Sequence, residues 1–167
     1  KALLANADSA LEGRARAENL PTEVIGAARP SLAGTIIKAC RPHQWAKNLL
    51  LFLPLLTAHL YQKGELLTKA GIAFVAMGLC ASAVYLMNDL MDLESDRVHE
   101  TKKRRPFASG NLPLHVGLLL LPVLLVGAFG LAIGLVNSTF AAMLGGYFVA
   151  TCAYSFHLKQ RILVDVF

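Results

Sequence analysis

Cysteine is scarce in this sequence, and its spacing carries no chemistry. The three residues, Cys40, Cys80 and Cys152, are odd in number and far apart. They form neither a disulfide framework nor a metal-ligand pattern, and two lie inside apolar blocks, so they read as small reduced hydrophobes. The histidines at 43, 59, 99, 115 and 157 are equally scattered and receive no ligand role. Residues 1–20 lack a continuous apolar core, so no signal peptide is expected there. Charge is thin as well, at 16% of residues, and it falls between apolar blocks instead of alternating with them. That excludes the period-2 and period-3.6 stripes of a half-buried soluble element.

What is present is hydrophobic. The chain has 167 residues, of which 55% are hydrophobic, and its mean hydropathy is +0.51. One soluble domain of this length rarely carries so much apolar surface. The formal charge of +5 comes from basic residues clustered at the edges of the apolar blocks. It therefore points to a membrane surface, with no nucleic-acid partner expected.

The expected fold class is all-α, a multi-pass transmembrane helical bundle. Residues 1–36 mix Ala and Leu with acids and bases, a soluble and helix-favouring composition broken near Pro21 and Pro30. This stretch reads as a peripheral segment or linker, or the tail of an upstream domain, and a first residue that is Lys and not Met fits a longer parent chain. Residues 37–167 read as the membrane domain, with about four spans plus the start of a fifth. The apolar run at 49–60 is short for a span and must borrow Trp45 or lean on its neighbours. Further spans are expected at 66–87, at 112–136 with a kink at Pro122, and at 139–154. The run at 162–167 looks like the first turns of a fifth. Lys38, Arg41 and Lys47 precede the first span, the 88–111 loop holds Arg97 and Lys102 to Arg105, and Lys159 and Arg161 follow the fourth. The alternate loops are poorer in cations, which places the N-terminus and the 88–111 loop on the cytoplasmic side.

The chemistry centres on Asn88-Asp89-Leu90-Met91-Asp92-Leu93-Glu94-Ser95-Asp96, where the second span ends. If the helix continues, Asp89, Asp92 and Asp96 share a wedge of roughly 60°, while Glu94 points elsewhere. Three carboxylates so close repel unless a cation lies between them. Their hard oxygens suit Mg²⁺, which keeps waters and bridges to substrate phosphates. The bland alternative is a solvated acidic turn, but acids beside a span are costly enough to suggest a role. Downstream, Lys102-Lys103-Arg104-Arg105-Pro106 is either a topology anchor or a phosphate clamp, with Arg105 and then Lys102 favoured for substrate. Arg41, Gln44, Trp45, Lys47 and Asn48 form a second polar set at the same mouth. Tyr154 and Lys159 close the fourth span, as a belt aromatic and a positive-inside lysine or as functional residues.

Asn88-Asp-x-x-Asp-x-x-x-Asp96 followed by a basic loop ending Arg105-Pro106 resembles the first aspartate-rich motif of the UbiA superfamily of membrane prenyltransferases. The opening Arg41-Pro-x-Gln-Trp-x-Lys-Asn48 is similar to its decaprenyl-phosphate phosphoribosyltransferase-like branch, in which some bacterial proteins carry an N-terminal HAD-type phosphatase domain. The resemblance covers about residues 38–167. It implies a bundle of eight or nine helices around a cavity, with Mg²⁺ joining Asp89, Asp92 and Asp96 to a diphosphate. Under the same resemblance Asn88, Lys47, Asn48, Lys102, Arg105, Tyr154 and Lys159 would contact substrate, and Tyr154 and Lys159 match the Tyr/Lys pair of the family. A second aspartate-rich motif is expected on a later helix, which the lone Asp165 cannot replace, so residues 1–167 alone are not expected to catalyse.

The implied chemistry is departure of a diphosphate neutralised by Mg²⁺ and cations, leaving an electron-poor carbon in a site that excludes water. Phosphoribosyl transfer from phosphoribosyl diphosphate to polyprenyl phosphate is the preferred reaction, within cell envelope biosynthesis at the inner membrane. Prenyl transfer from a polyprenyl diphosphate to a lipophilic, for instance aromatic, acceptor is the second. A transporter or lipid-binding scaffold is the rival from another class, although such proteins place their charges at the bilayer midplane and not at one mouth.

Overall fold

A computed structural model describes residues 30–158 (without the side chains of 157 and 158) and, before them, the backbone of residues 2–5, 17 and 22–25. Two short strands, β1 (Ala2–Ala5) and β2 (Thr22–Ile25), pair in parallel with Ala2 opposite Thr22. The helical expectation for residues 1–36 is corrected at both places. Thr22, Val24 and Ile25 are β-branched and favour the extended backbone, and the connection leaves room for the crossover that parallel pairing requires. Every other described element is helical.

Helix α1 (Leu32–Cys40) starts at Ser31, whose Oγ accepts the Gly34 N–H at 3.2 Å and so satisfies one of the open donors of the first turn. It stops at Arg41, which adopts left-handed backbone angles, φ 51° and ψ 53°. A 3-10 helix then runs over Pro42–Phe52 and passes into α2 (Leu53–Thr57). Here the single apolar span expected at 49–60 is replaced by a longer, thinner path. At about 2.0 Å per residue the 3-10 stretch advances roughly 22 Å, and α2 adds roughly 7 Å at 1.5 Å per residue. Together they approach the ~30 Å of a bilayer core, but only by including the polar residues 42–48, and the stretch is not one of the three described segments long and apolar enough to cross a membrane.

Helix α3 (Gly64–Met91) is the central element. The 3-10 helix lies antiparallel along it, with Trp45 against Gly78 and Phe52 beside Phe74 at 5.9 Å between ring centres. Short helix α4 (Leu93–Val98) and a 3-10 turn (Lys102–Arg104) lead to α5 (Leu114–Leu131), a π-helical turn at Ala132–Val136, α6 (Ser138–Ala153) and a second π turn at Tyr154–Leu158. α5 runs through Pro122 unbroken. A proline removes one N–H donor, and inside an apolar bundle neighbouring groups absorb that loss; the irregular turn comes ten residues later. Three stretches, Gly64–Met91, Leu114–Val136 and Ser138–Phe156, are long and apolar enough to cross a membrane, with mean hydropathies of 2.0, 2.6 and 1.2 over an 18-residue window of each. The run at 162–167 lies outside the described residues.

The core falls into two clusters. One joins Ala39, Ala83 and Leu86 to Phe107, Leu112 and Leu124 near the end of α3. The other joins Ala76 and Cys80 to Ala128, Ala132, Ala141 and Leu144. Small side chains dominate the second because helices that cannot gain from expelling water must approach closely to gain van der Waals contact. The three cysteines are free, and burial pushes the Cys40 thiol up, which keeps it protonated and unreactive.

Candidate functional site

The acidic motif sits where α3 hands over to α4. The backbone bends at Asp92, φ −85° and ψ 7°, yet hydrogen bonding continues through it. Asp92 N–H donates to the Asn88 carbonyl at 2.9 Å, and Asp96 N–H donates to the Asp92 carbonyl at 2.8 Å. The helical register therefore survives, and Asp89 and Asp96, two turns apart, meet on one face. They are 2% and 1% exposed. Asp92 is half-buried and Glu94 is exposed.

Arginines from two other elements neutralise the buried pair. Arg105 Nη1 donates to Asp96 Oδ2 at 2.7 Å and to Asp89 Oδ1 at 3.2 Å, bridging the two carboxylates. Arg41 Nη2 donates to the same Asp89 Oδ1 at 2.6 Å, and its guanidinium lies 5.1 Å from the centre of the Tyr85 ring. Buried carboxylates require such partners, since an unpaired charge in this setting is strongly destabilising. Each carboxylate nevertheless keeps one oxygen, Asp89 Oδ2 and Asp96 Oδ1, buried and without a protein partner.

Local structure explains how the arginines arrive. Arg41 is held at the α1 to 3-10 corner by its left-handed backbone, a conformation that costs free energy and persists only where surroundings impose it. Ser82, fully buried on α3, fastens that corner. Its Oγ lies 2.7 Å from the Cys40 carbonyl and 2.9 Å from the Gly78 carbonyl, and it accepts the Trp45 Nε1–H at 3.0 Å. Gly78 makes room for the indole, because a Cβ there would stand 2.5 Å from Trp45 Cδ2. Arg105 follows the Lys102–Arg104 turn, and its loop is pinned by buried Phe107 and Leu112. Phe107 packs onto Gly117 at the start of α5, where a Cβ would stand 2.5 Å from its ring.

Beside the carboxylates opens a cavity of about 380 Å³ whose walls include Lys38, Arg41, His43, Lys102, Arg104 and Arg105. The expected residues divide around it. Asp89, Asp96 and Arg105 come together, and Lys102 joins them through the cavity wall. Asn88 and Asp92 lie one turn apart, Asn88 just before Asp89 and Asp92 between the two carboxylates in sequence. Lys47 is exposed and lines a separate apolar hollow of about 320 Å³ with Leu49, Leu50, Leu53 and Leu56. Asn48 keeps a buried amide nitrogen without a partner and, seven residues along a 3-10 helix from Arg41, lies roughly 14 Å deeper. Tyr154 is 54% exposed, at the site's end of the bundle, where Cys152 Sγ reaches Met87 Sδ at 4.0 Å. Lys159 lies outside the described residues.

Among the described residues no three of His, Cys, Asp and Glu converge closely enough to enclose a metal by themselves. The two unpartnered oxygens still fit Mg²⁺, which is commonly held by one or two carboxylates and completed by water and phosphate. Sequence reasoning placed Arg41 in a separate polar set, named Arg104 only within the basic run, and gave Lys38, His43, Ser82 and Phe107 no part in the site. An arginine before a proline at a predicted span edge was the available signal; the contact with Asp89, 48 positions away, had none.

Apolar helices of spanning length, with charged side chains gathered at one end and buried there in pairs, define a polytopic helical membrane protein. More narrowly, the chain belongs to the UbiA prenyltransferase family, whose pattern matches residues 41–167. It is 36% identical over 152 residues to the decaprenyl-phosphate phosphoribosyltransferase of Mycobacterium tuberculosis, an alignment covering 86% of this chain and 49% of that one. It is 41% identical over 126 residues to Uncharacterized protein y4nM of Sinorhizobium fredii, covering 75% of this chain and 24% of the other. Nodulation protein NoeC of Azorhizobium caulinodans is 36% identical over 135 residues, covering 80% and 43%. The chain thus spans half or less of the length of these relatives.

Proposed function

We propose that the parent protein is a membrane transferase that moves a phosphoribosyl group from phosphoribosyl diphosphate to a polyprenyl phosphate, using Mg²⁺ at Asp89 and Asp96 on the cytoplasmic side of the inner membrane. The observation that carries this reading is the buried Asp89–Asp96 pair, with one free oxygen on each carboxylate, held by Arg41 and Arg105, which themselves line a cation-rich cavity. The names of the relatives support the substrate class. The five lysines and arginines around the cavity suit a donor with a second phosphate besides its diphosphate.

In this mechanism Asp89 and Asp96, with Asp92 beside them, would hold the metal, while Arg105 and Lys102 would donate to phosphate oxygens. Bound Mg²⁺ would neutralise charge that builds on the departing diphosphate. Arg41 and Arg105 hold the carboxylates in place, and the arginine forks offer further N–H donors to the leaving group. Capture of the electron-poor sugar carbon by the lipid phosphate, as the diphosphate leaves, requires that water be kept from it.

Two donors separate this reading from prenyl transfer. Full-length protein in membranes should form a lipid-linked phosphoribose from phosphoribosyl diphosphate and polyprenyl phosphate, and Asp96→Asn should lower that rate about 100-fold, as loss of a group that orients a metal site does. Product only from a polyprenyl diphosphate and an aromatic acceptor would transfer the assignment to the second reaction. Cysteine labelling should reach a residue placed at Lys103 from the cytoplasmic side and one placed at Asn137 from the other; labelling of both from one side would overturn the orientation.

A further inference from the structure

The charges around this site are balanced against a bare metal ion. Asp89 and Asp96 bring two negative charges, and Arg41 and Arg105 answer them at 2.6 to 3.2 Å. Lys38, Lys102 and Arg104 line the cavity that Arg41 and Arg105 also border, and half-buried Asp92 is the third carboxylate of the motif. Five cations against three carboxylates leave the mouth positive before any ligand arrives. A divalent cation entering alone would meet guanidiniums already seated on its ligands, at a depth where salt screens such repulsion poorly.

The unpartnered oxygens nevertheless require something. Buried acceptors left without a donor or a cation are destabilising, and Asp89 Oδ2 and Asp96 Oδ1 are both in that state. A ligand suited to this arrangement must bring positive charge for two oxygens and negative charge for the arginines. Arg41 spends Nη2 and Arg105 spends Nη1 on carboxylates, while both side chains also border the cavity. Their forks have donors beyond those used.

We propose that Arg41 and Arg105 make this site accept a divalent cation only together with a diphosphate group. The inference rests on the metal and diphosphate reading above and adds an order to it. The arginines hold the carboxylates ready but electrically satisfied, and only a metal that arrives with its own anion improves the balance. The cation takes the two free aspartate oxygens, and the phosphate oxygens take the open guanidinium N–H groups and the cavity lysines. Arg41 is a positioning residue in this scheme as much as a ligand, fixed by its left-handed backbone and by the Tyr85 ring.

The test measures metal binding and not turnover. Full-length protein in detergent is dialysed to equilibrium against a fixed free concentration of Mn²⁺, with and without inorganic pyrophosphate, and bound Mn²⁺ is counted by electron paramagnetic resonance. The wild type should bind Mn²⁺ about tenfold more tightly when pyrophosphate is present, within the usual range for coupled sites. Arg41→Gln should bind Mn²⁺ alone about tenfold more tightly than the wild type and gain little more from pyrophosphate. Arg105→Gln should behave in the same way and serves if Arg41→Gln does not remain monodisperse. Tight Mn²⁺ binding by the wild type without pyrophosphate would overturn the proposal, and so would an arginine variant that still depends on it. Binding that is insensitive to Asp89→Asn, or no binding under either condition, would instead defeat the metal reading beneath it.

Discussion

α3 and its two long neighbours have the same membrane-spanning character but opposite surroundings. Half of the most apolar window of α3 is buried within the bundle, against 17% for the stretches containing α5 and α6. Most buried side chains of α3 are small or polar, among them Ala73, Ala76, Gly78, Cys80, Ser82 and, at its end, Asp89. α5 turns Leu118, Leu119, Val123 and Val126 outward. A helix that other elements must approach closely carries small residues, and one that faces an apolar surround carries large ones. Average hydropathy is blind to that division, and it puts the buried charges on the helix with most neighbours to hold them.

The comparison is broken most severely at the charged end. Arg105→Ala would leave buried Asp96 without its arginine and Asp89 with Arg41 alone. Removing one member of a buried ion pair costs about 3–5 kcal/mol, so the full-length protein in detergent should melt at a clearly lower temperature, read by the loss of its monodisperse chromatographic peak. A melting temperature equal to the wild type would mean that the Arg105 bridge does not hold the loop.

A matched pair of truncations tests the two surroundings directly. Leu86, 0% exposed on α3, and Leu118, 63% exposed on α5, lose the same atoms on mutation to alanine. Leu86→Ala should cost about 2–5 kcal/mol because a cavity remains, whereas Leu118→Ala should stay within about 0.5 kcal/mol. Equal losses in the same melting assay would show that α5 is packed as tightly as α3.

Smaller still is the expected cost of crowding the 3-10 helix. Gly78→Ala places a methyl group against the Trp45 ring, and such overpacking costs about 1–3 kcal/mol. The indole should lose its bond to Ser82, visible as a red shift of the fluorescence from the single tryptophan. An unchanged spectrum with unchanged melting would show that the groove is looser than the contact implies.

Much of this architecture was legible beforehand, for reasons that lie in particular residues. The spans near 66–87, 112–136 and 139–154 correspond to helices because their apolar blocks are long enough to leave no other way of satisfying the backbone. The spacing of Asp89 and Asp96 foretold a common face because backbone hydrogen bonding passes through Asp92. The 3-10 path over Pro42–Phe52 was not legible. A twelve-residue run shows that a span is short, but only packing against Gly78 and Phe74 selects the stretched helix. Nor were the strands at 2–5 and 22–25, where helix-favouring alanines and leucines gave way to a pairing partner distant in sequence.

The sequence by itself determined the class of the molecule and the face on which its acids lie, since hydropathy and helical periodicity are properties of neighbouring residues. Tertiary structure alone decided which cations meet those acids. Arg41 and Arg105 stand 48 and 16 positions from Asp89, and their convergence depends on a left-handed corner, a serine that fastens it and a phenylalanine seated on a glycine. Those contacts join separate elements, and no local pattern in the chain encodes their distance.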